Sequence, residues 1–216
     1  MERGFAMTRT LAGLSLVALA ATGCSPSYRV EFNGYSELAE PVSRQAPICV
    51  ATDPNAENLI FQRQVQTKAQ RLLQGEGYTL AESPEKAAYE IVFRVGTTTH
   101  EVVDRRPTPE MRAGFLYGGY SRGFGFGHTT YDAPYYDTLY RQWLVLRLFR
   151  NDHQTQQRHL VWVGEAAMRT DRPTLRQAVD YLLVVCIEHL GIDTREQITV
   201  RIEGNDPRVL DIASEP

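Results

Sequence analysis

Leu139 to Arg150 reads LYRQWLVLRLFR and His159 to Met168 reads HLVWVGEAAM, with the polar turn Asn151-Asp152-His153-Gln154 between them. Two runs rich in aromatic and branched apolar residues on either side of a short polar break spell a β-hairpin. An antiparallel hairpin commonly packs one face on a core, so a cover for that face is needed. The cover is legible downstream. From Pro173 the residues Leu175, Ala178/Val179, Leu182/Leu183, Cys186/Ile187 and Leu190 recur at helical spacing and make one continuous apolar face. Gly191 ends that helix, where a left-handed cap suits glycine, and Ile198-Thr199-Val200-Arg201-Ile202 makes a last strand.

Upstream of the hairpin, Tyr89 to Val103 (YEIVFRVGTTTHEVV) is one long strand by its β-branched and aromatic content. Pro47 to Ala51 (PICVA) is a brief apolar run that suits a buried strand. Between these two strands, Asp53-Pro54-Asn55 offers helix-start chemistry. Phe61, Val65, Lys68/Ala69, Leu72 and Leu73 then follow at helical spacing until Gly75 and Gly77 stop the helix. Tyr78-Thr79-Leu80 reads as a short strand or turn, and Ser83-Pro84-Glu85 as one helical turn. The order is strand, helix, strand, insertion, hairpin, helix, strand. It predicts an α/β (α+β) two-layer sandwich, a mixed four- to five-stranded sheet with two helices on one face. The first strand–helix–strand unit makes part of the sheet parallel, because a parallel connection needs a helix-length crossover.

The insertion runs from Asp104 to Asp137 and holds six glycines and five tyrosines without periodicity. A stretch of this kind inside a compact domain is either functional or disordered. Phe115, Tyr117, Tyr120, Phe124, Phe126, Tyr131, Tyr135 and Tyr136 place many rings on a glycine frame, a mixture that makes adaptable contact surfaces. These eight residues are the candidate partner-binding set. The competing expectation is a disordered loop kept soluble by its composition.

The N-terminus reads as an address. Arg3 and Arg9 precede Leu11 to Thr22 (LAGLSLVALAAT), an uncharged run of 12 residues. That run is too short for a bilayer, which needs roughly 20 residues, and fits the apolar region of a signal peptide. Glu2 is unusual so early, and a start at Met7 would remove it. Ala21-Thr22-Gly23-Cys24 resembles the lipobox of bacterial lipoproteins, with Ala21 where Leu is more usual. The resemblance implies cleavage after Gly23, a lipid on Cys24 and a membrane anchor. Ser25 after the cysteine favours the periplasmic face of the outer membrane over the inner membrane. The expected layout is a signal peptide over 1–23, a lipidated tether over 24–45 and one domain over 46–203, with 104–137 as its insertion and a polar tail over 204–216. Within the tether, Tyr28 to Phe32 alternates in a way that allows a short edge strand.

Cleavage leaves 216 − 23 = 193 residues, a one-domain length. The mature charge is (23 − 2) − (26 − 1) = −4, once Arg3, Arg9 and Glu2 are removed. Mild acidity without a basic block argues against nucleic acid, which demands clustered Lys and Arg. Beyond Cys24 the chain holds Cys49 and Cys186. An even pair in an oxidising compartment allows a disulfide, and the apolar surroundings of both equally allow two buried free thiols.

Enzyme chemistry has little to stand on. His100, His128, Asp132 and Asp137 lack a repeated ligand spacing, and a zinc or iron site needs three or four ligands converging on rigid elements. Gly119-Tyr120-Ser121-Arg122-Gly123 is the wrong frame for a serine nucleophile elbow. Cys186 sits on an apolar helix stripe, away from any thiolate-stabilising setting. The glycines from Gly118 to Gly127 lack the strand before and helix after that a phosphate loop requires, so no nucleotide and no cofactor is expected. Trp143 and Trp162 fall on the paired strands, where cross-strand packing accounts for them.

Several of these features coincide in one known family. A lipoprotein signal precedes a helix ending in Gly77-Tyr78, then Ala87-Ala88-Tyr89-Glu90-Ile91-Val92 enters a strand. A Gly/Tyr-rich insertion follows, and then Leu160-Val161-Trp162-Val163-Gly164-Glu165-Ala166. From Tyr28 to Ile202 the chain resembles the bacterial envelope lipoprotein family known as domain of unknown function 4136 (DUF4136). It departs from the family at Ala88, where Asp is usual, and in the turn after Arg150, which lacks the usual D-x-x-T-G. The resemblance implies an envelope lipoprotein and supplies no catalytic residue. The expectation is a non-enzymatic, membrane-anchored domain that binds an envelope protein partner. The alternative is a lipid or small-molecule carrier, which predicts an apolar cavity between the last helix and the hairpin. A metal-dependent hydrolase would need His100, His128 and Asp132 to converge.

Overall fold

The leading hairpin forms as β6 (Tyr135–Asp152) and β7 (Gln157–Thr170), antiparallel with Leu144 opposite Ala166 and Leu148 opposite Trp162. The computed structural model describes residues 26–53, 56–104, 108–113, 126–131, 135–152, 155, 157–170 and 174–214, and within 100–138 the strand backbones only. Ahead of the hairpin come β1 (Ser27–Ser36), β2 (Ile48–Ala51), α1 (Leu59–Gly75), β3 (Tyr89–Asp104), β4 (Thr108–Ala113) and β5 (Phe126–Tyr131). After it come α2 (Leu175–Glu188), β8 (Ile198–Glu203) and α3 (Pro207–Ala213). Six strands form one mixed sheet in the order β2-β3-β6-β7-β1-β8, and β4 pairs with β5 separately. Only the β2–β3 pair of the large sheet is parallel, bridged by the α1 crossover.

One face of the sheet is apolar and the helices cover it. Val30 and Phe32 of β1, Ile91 and Phe93 of β3, Leu144, Leu146 and Leu148 of β6, and Trp162 and Ala166 of β7 are all buried at alternate positions. α2 lies across β1, β3, β6 and β7 with α1 and α3 beside it. That position explains why every residue from Ala178 to Ile187 is buried, beyond the single stripe that periodicity shows. Gly77 (φ +85°) and Gly191 (φ +83°) take the left-handed conformation that ends α1 and α2.

The fold class is the expected one, a mixed α+β sandwich, with more strands and one more helix. β1 is a 10-residue strand between β7 and β8, inside the sheet, where the sequence allowed only a short edge strand within a tether. The tail expected to be polar carries α3, capped by Asp206 Oδ1 accepting from Arg208 N at 2.9 Å and held by buried Val209 and Ile212. α1 begins later than Asp53-Pro54-Asn55. Asn58 Oδ1 caps it by accepting from Phe61 N at 3.0 Å, while Asp53 meets Arg94 of β3 at 3.2 Å. No helix among the described residues is long and apolar enough to cross a membrane. The signal segment and Cys24 lie outside the described residues.

Candidate functional site

The apolar cavity that a carrier would need has its place between α2 and the β6–β7 hairpin. Leu144, Leu146, Leu148, Trp162, Leu182 and Leu183 fill that interface, each 1% exposed or less. Trp162 is locked there, its indole Nε1–H donating to the Ile192 carbonyl at 3.0 Å. Among the described residues, these six side chains therefore occupy the place where that cavity would lie.

A cleft of about 310 Å³ with a mixed apolar and polar lining opens between α1, α2 and the end of α3, bordered by Phe61, Gln64, Val65, Lys68, Arg176 and Asp180 among others. At its edge Lys68 Nζ meets Asp180 Oδ1 at 2.7 Å, with side chains only 13% and 5% exposed. Burial pushes the Asp180 carboxyl above the usual carboxylate range, and the hydrogen bond and charge of Lys68 pull it back. The pair ties α1 to α2. The sequence carried half of the signal, a Lys in the apolar stripe of α1, whereas Asp180 lies off the stripe that periodicity shows for α2.

Cys49 on β2 and Cys186 on α2 are both free and buried, so the bridge that the even pair allowed is absent from the structure. Burial pushes the Cys186 thiol far up, and burial followed by the charges of Glu90 and Glu85 raises Cys49. Neither thiolate is favoured, and both groups pack as small hydrophobes. In the folded protein a disulfide reagent such as Ellman's is expected to leave both unmodified for many minutes, whereas unfolding exposes two thiols beyond Cys24. Rapid labelling of the native protein would refute this placement. Among the described residues no group of three or more His, Cys, Asp or Glu is placed to hold a metal ion. The side chains of His100, His128, Asp132 and Asp137 lie outside the described set.

The segment singled out for partner binding has a defined backbone setting. β6 pairs with β7 only as far as Tyr140 opposite Thr170. β3 and β6 continue pairing beyond that point, from His100 opposite Leu139 to Asp104 opposite Tyr135. These five further pairs make a two-stranded arm about 17 Å long at ~3.4 Å per residue. Past the arm, β4 and β5 pair antiparallel from Thr108 opposite Tyr131 to Ala113 opposite Phe126. Phe126 and Tyr131 therefore sit on β5, and Tyr135 and Tyr136 at the tip of the arm on β6. Phe115, Tyr117, Tyr120 and Phe124 lie outside the described residues. Much of the insertion, read from sequence as lacking regular structure, is thus strand backbone.

The chain matches no family model and no curated protein. Among solved structures it is similar to a PelC dodecamer subunit from Paraburkholderia phytofirmans, at 12% identity and a TM-score of 0.41 over 74% of this chain and 99% of that one. It is similar to a PDZ domain protein from Parabacteroides distasonis, at 11% identity and a TM-score of 0.42 over 83% of this chain and 40% of that one. It is also similar to a DUF4136 family protein from Bacteroides thetaiotaomicron, at 9% identity and a TM-score of 0.36 over 77% of this chain and 93% of that one.

Proposed function

We propose that this chain is a non-enzymatic, lipid-anchored binding domain of the bacterial cell envelope, of the DUF4136 kind, whose β3–β6 arm presents the Gly/Tyr-rich segment to a protein partner. The observation that carries the reading is the ladder that runs past the sheet for five residue pairs. A two-stranded ribbon on its own is marginally stable in water, so an arm carried out from the core is most useful where another surface meets it. Tyrosine and phenylalanine on a glycine frame supply contact area at modest entropy cost. The lipid on Cys24 holds the domain at the membrane, on the periplasmic face of the outer membrane by the Ser25 rule, and the partner is another envelope protein. Catalysis, nucleotide and nucleic acid have no part in this reading.

The register supplies a clean test. Asp104 and Tyr135 face each other across the arm. Replacing residues 105–134 by Asn-Gly therefore closes it with a two-residue turn of the type hairpins favour. The excised protein is expected to melt within a few degrees of wild type, because every core residue among those described is kept. In crosslinking pull-downs from membranes it is expected to lose the envelope proteins that wild type captures. Capture of the same set by both proteins would end the partner-binding reading. In a parallel arm, Cys24→Ala is expected to move the protein from the membrane to the soluble fraction, and retention there would end the lipid-anchor reading.

A further inference from the structure

The face of the sheet turned away from the helices carries a hollow that the partner-binding reading does not use. Along β6, Arg141, Trp143 and Val145 alternate with the buried Gln142, Leu144 and Leu146 and so project from this outer face. Trp143 stands opposite Gly96 on β3 and Ala167 on β7, the smallest neighbours a strand can offer. Its indole leans to the glycine side, where an added Cβ would lie 2.6 Å from the ring carbon Cζ2. The Ala167 side is left open. A cavity of about 300 Å³ forms there and reaches Leu144 and Ala166, whose side chains point into the core, so its floor is bare β6 and β7 backbone.

The rim is polar and unspent. Asn33, Glu165 and Gln197 line the hollow, and their side chains have no hydrogen-bond partner among the described residues. Arg141 Nε is buried there without an acceptor, although the same guanidinium reaches Glu31 through Nη2 at 3.3 Å. Arg169 meets Glu31 from the other side at 3.5 Å. The lining itself holds Arg141, Glu31 and Glu165, and Arg169 from outside it balances the extra glutamate through Glu31, so the hollow offers no surplus of positive charge to an anion and its one unpaired charged group among the described residues is Glu165. Amides and a carboxylate around an indole wall match one chemistry well. They can accept from and donate to vicinal hydroxyls, while the ring face attracts polarised C–H groups.

We infer that the Trp143–Ala167 hollow is a saccharide subsite that takes one uncharged pyranose ring of a glycan, stacked on the indole and hydrogen-bonded by Asn33, Glu165, Gln197 and Arg141. The site is independent of the arm and stands or falls without it. The test is titration of the purified full-length protein in a detergent without a sugar head group, using the tetramers of N-acetylglucosamine and of glucose as probes. Binding is read by calorimetry and by tryptophan fluorescence; Trp162 is fully buried, so Trp143 reports. Saturable binding of at least one tetramer at about 1 mM or tighter is expected. Trp143→Ala and Gln197→Ala should each weaken it at least tenfold, and Trp143→Phe should preserve most of it. Ala167→Leu fills the hollow beside Trp143 and should abolish binding, which keeps the test decisive if Trp143→Ala fails to fold. No saturable response from wild type up to about 10 mM, or unchanged affinity in Ala167→Leu, overturns the inference.

Discussion

Trp162→Ala is expected to lower the stability of the fold by about 3–5 kcal/mol, roughly a 10 °C fall in melting temperature for a domain of this size. The side chain is among the largest that are fully buried, and its site is built around it. Gly34 on β1 and Gly164 on β7 face each other across the sheet and leave a flat recess on the inner surface. A Cβ at Gly164 would run into Trp162 Cη2, and one at Gly34 into the Ile192 carbonyl that accepts the indole N–H. The turn after α2 is clamped over the same recess, with Thr194 N donating to Gly34 O at 3.0 Å and Gly34 N donating to Thr194 Oγ1 at 3.0 Å. The indole thus joins sheet, turn and helix end. Gly164→Ala alone should cost about 1–3 kcal/mol through overpacking. In the Trp162→Ala background the added methyl group enters vacated space and should cost little. Urea unfolding of the two single variants and the double variant measures the difference as a coupling energy. Equal cost of Gly164→Ala in both backgrounds would show that the ring does not define the recess.

That recess explains where sequence reading succeeded and where it stopped. The hairpin, the long β3 and the stripe of α2 were legible because each buries a face at its own period, two for strands and 3.6 for helices. β1 obeys the same rule, with Val30, Phe32 and Gly34 inward and Glu31, Asn33 and Tyr35 toward the outer face. Its reading ended at Phe32 because Asn33-Gly34 is a turn dipeptide by local chemistry. Gly34 is a glycine for a tertiary reason, the close approach of the Ile192 carbonyl, and no local pattern carries that information. The tail was misread for a different reason. Asp206-Pro207 is good helix-start chemistry, but a seven-residue helix shows only Val209 and Ile212 as its apolar signature. The strands of the insertion were illegible because Phe126-Gly127-His128-Thr129-Thr130-Tyr131 shows no alternation of apolar and polar residues at period two. The Lys68–Asp180 contact spans 112 positions, which spacing rules do not reach.

Lys68→Met should be the most damaging single substitution at a charged position, lowering stability by about 3–5 kcal/mol at pH 7. The methionine fills the space of the lysine stem, so the loss is not a cavity effect. It arises because the Asp180 carboxylate, 5% exposed, is left without its counter-charge. The pH dependence distinguishes this cause from poor packing. In the wild type, burial already holds the Asp180 carboxyl above its ordinary value of 3.8 and Lys68 offsets part of that rise. Removing Lys68 removes the offset, so the folded-state pKa rises further while the unfolded-state value does not change. Between those two values the folded variant binds a proton that the unfolded chain does not, and stability there falls as pH rises. Measured against wild type at each pH, the deficit of Lys68→Met is therefore expected to be largest at pH 7 and to shrink toward pH 5 as the carboxyl takes its proton. Replacing both partners, Lys68→Met with Asp180→Leu, should recover most of the lost stability, since an apolar pair leaves no buried charge behind. A deficit that is the same at pH 5 and pH 7, or one below about 1 kcal/mol as for exposed ion pairs, would mean that Asp180 is solvated and that α1 and α2 are held together by their apolar contacts alone.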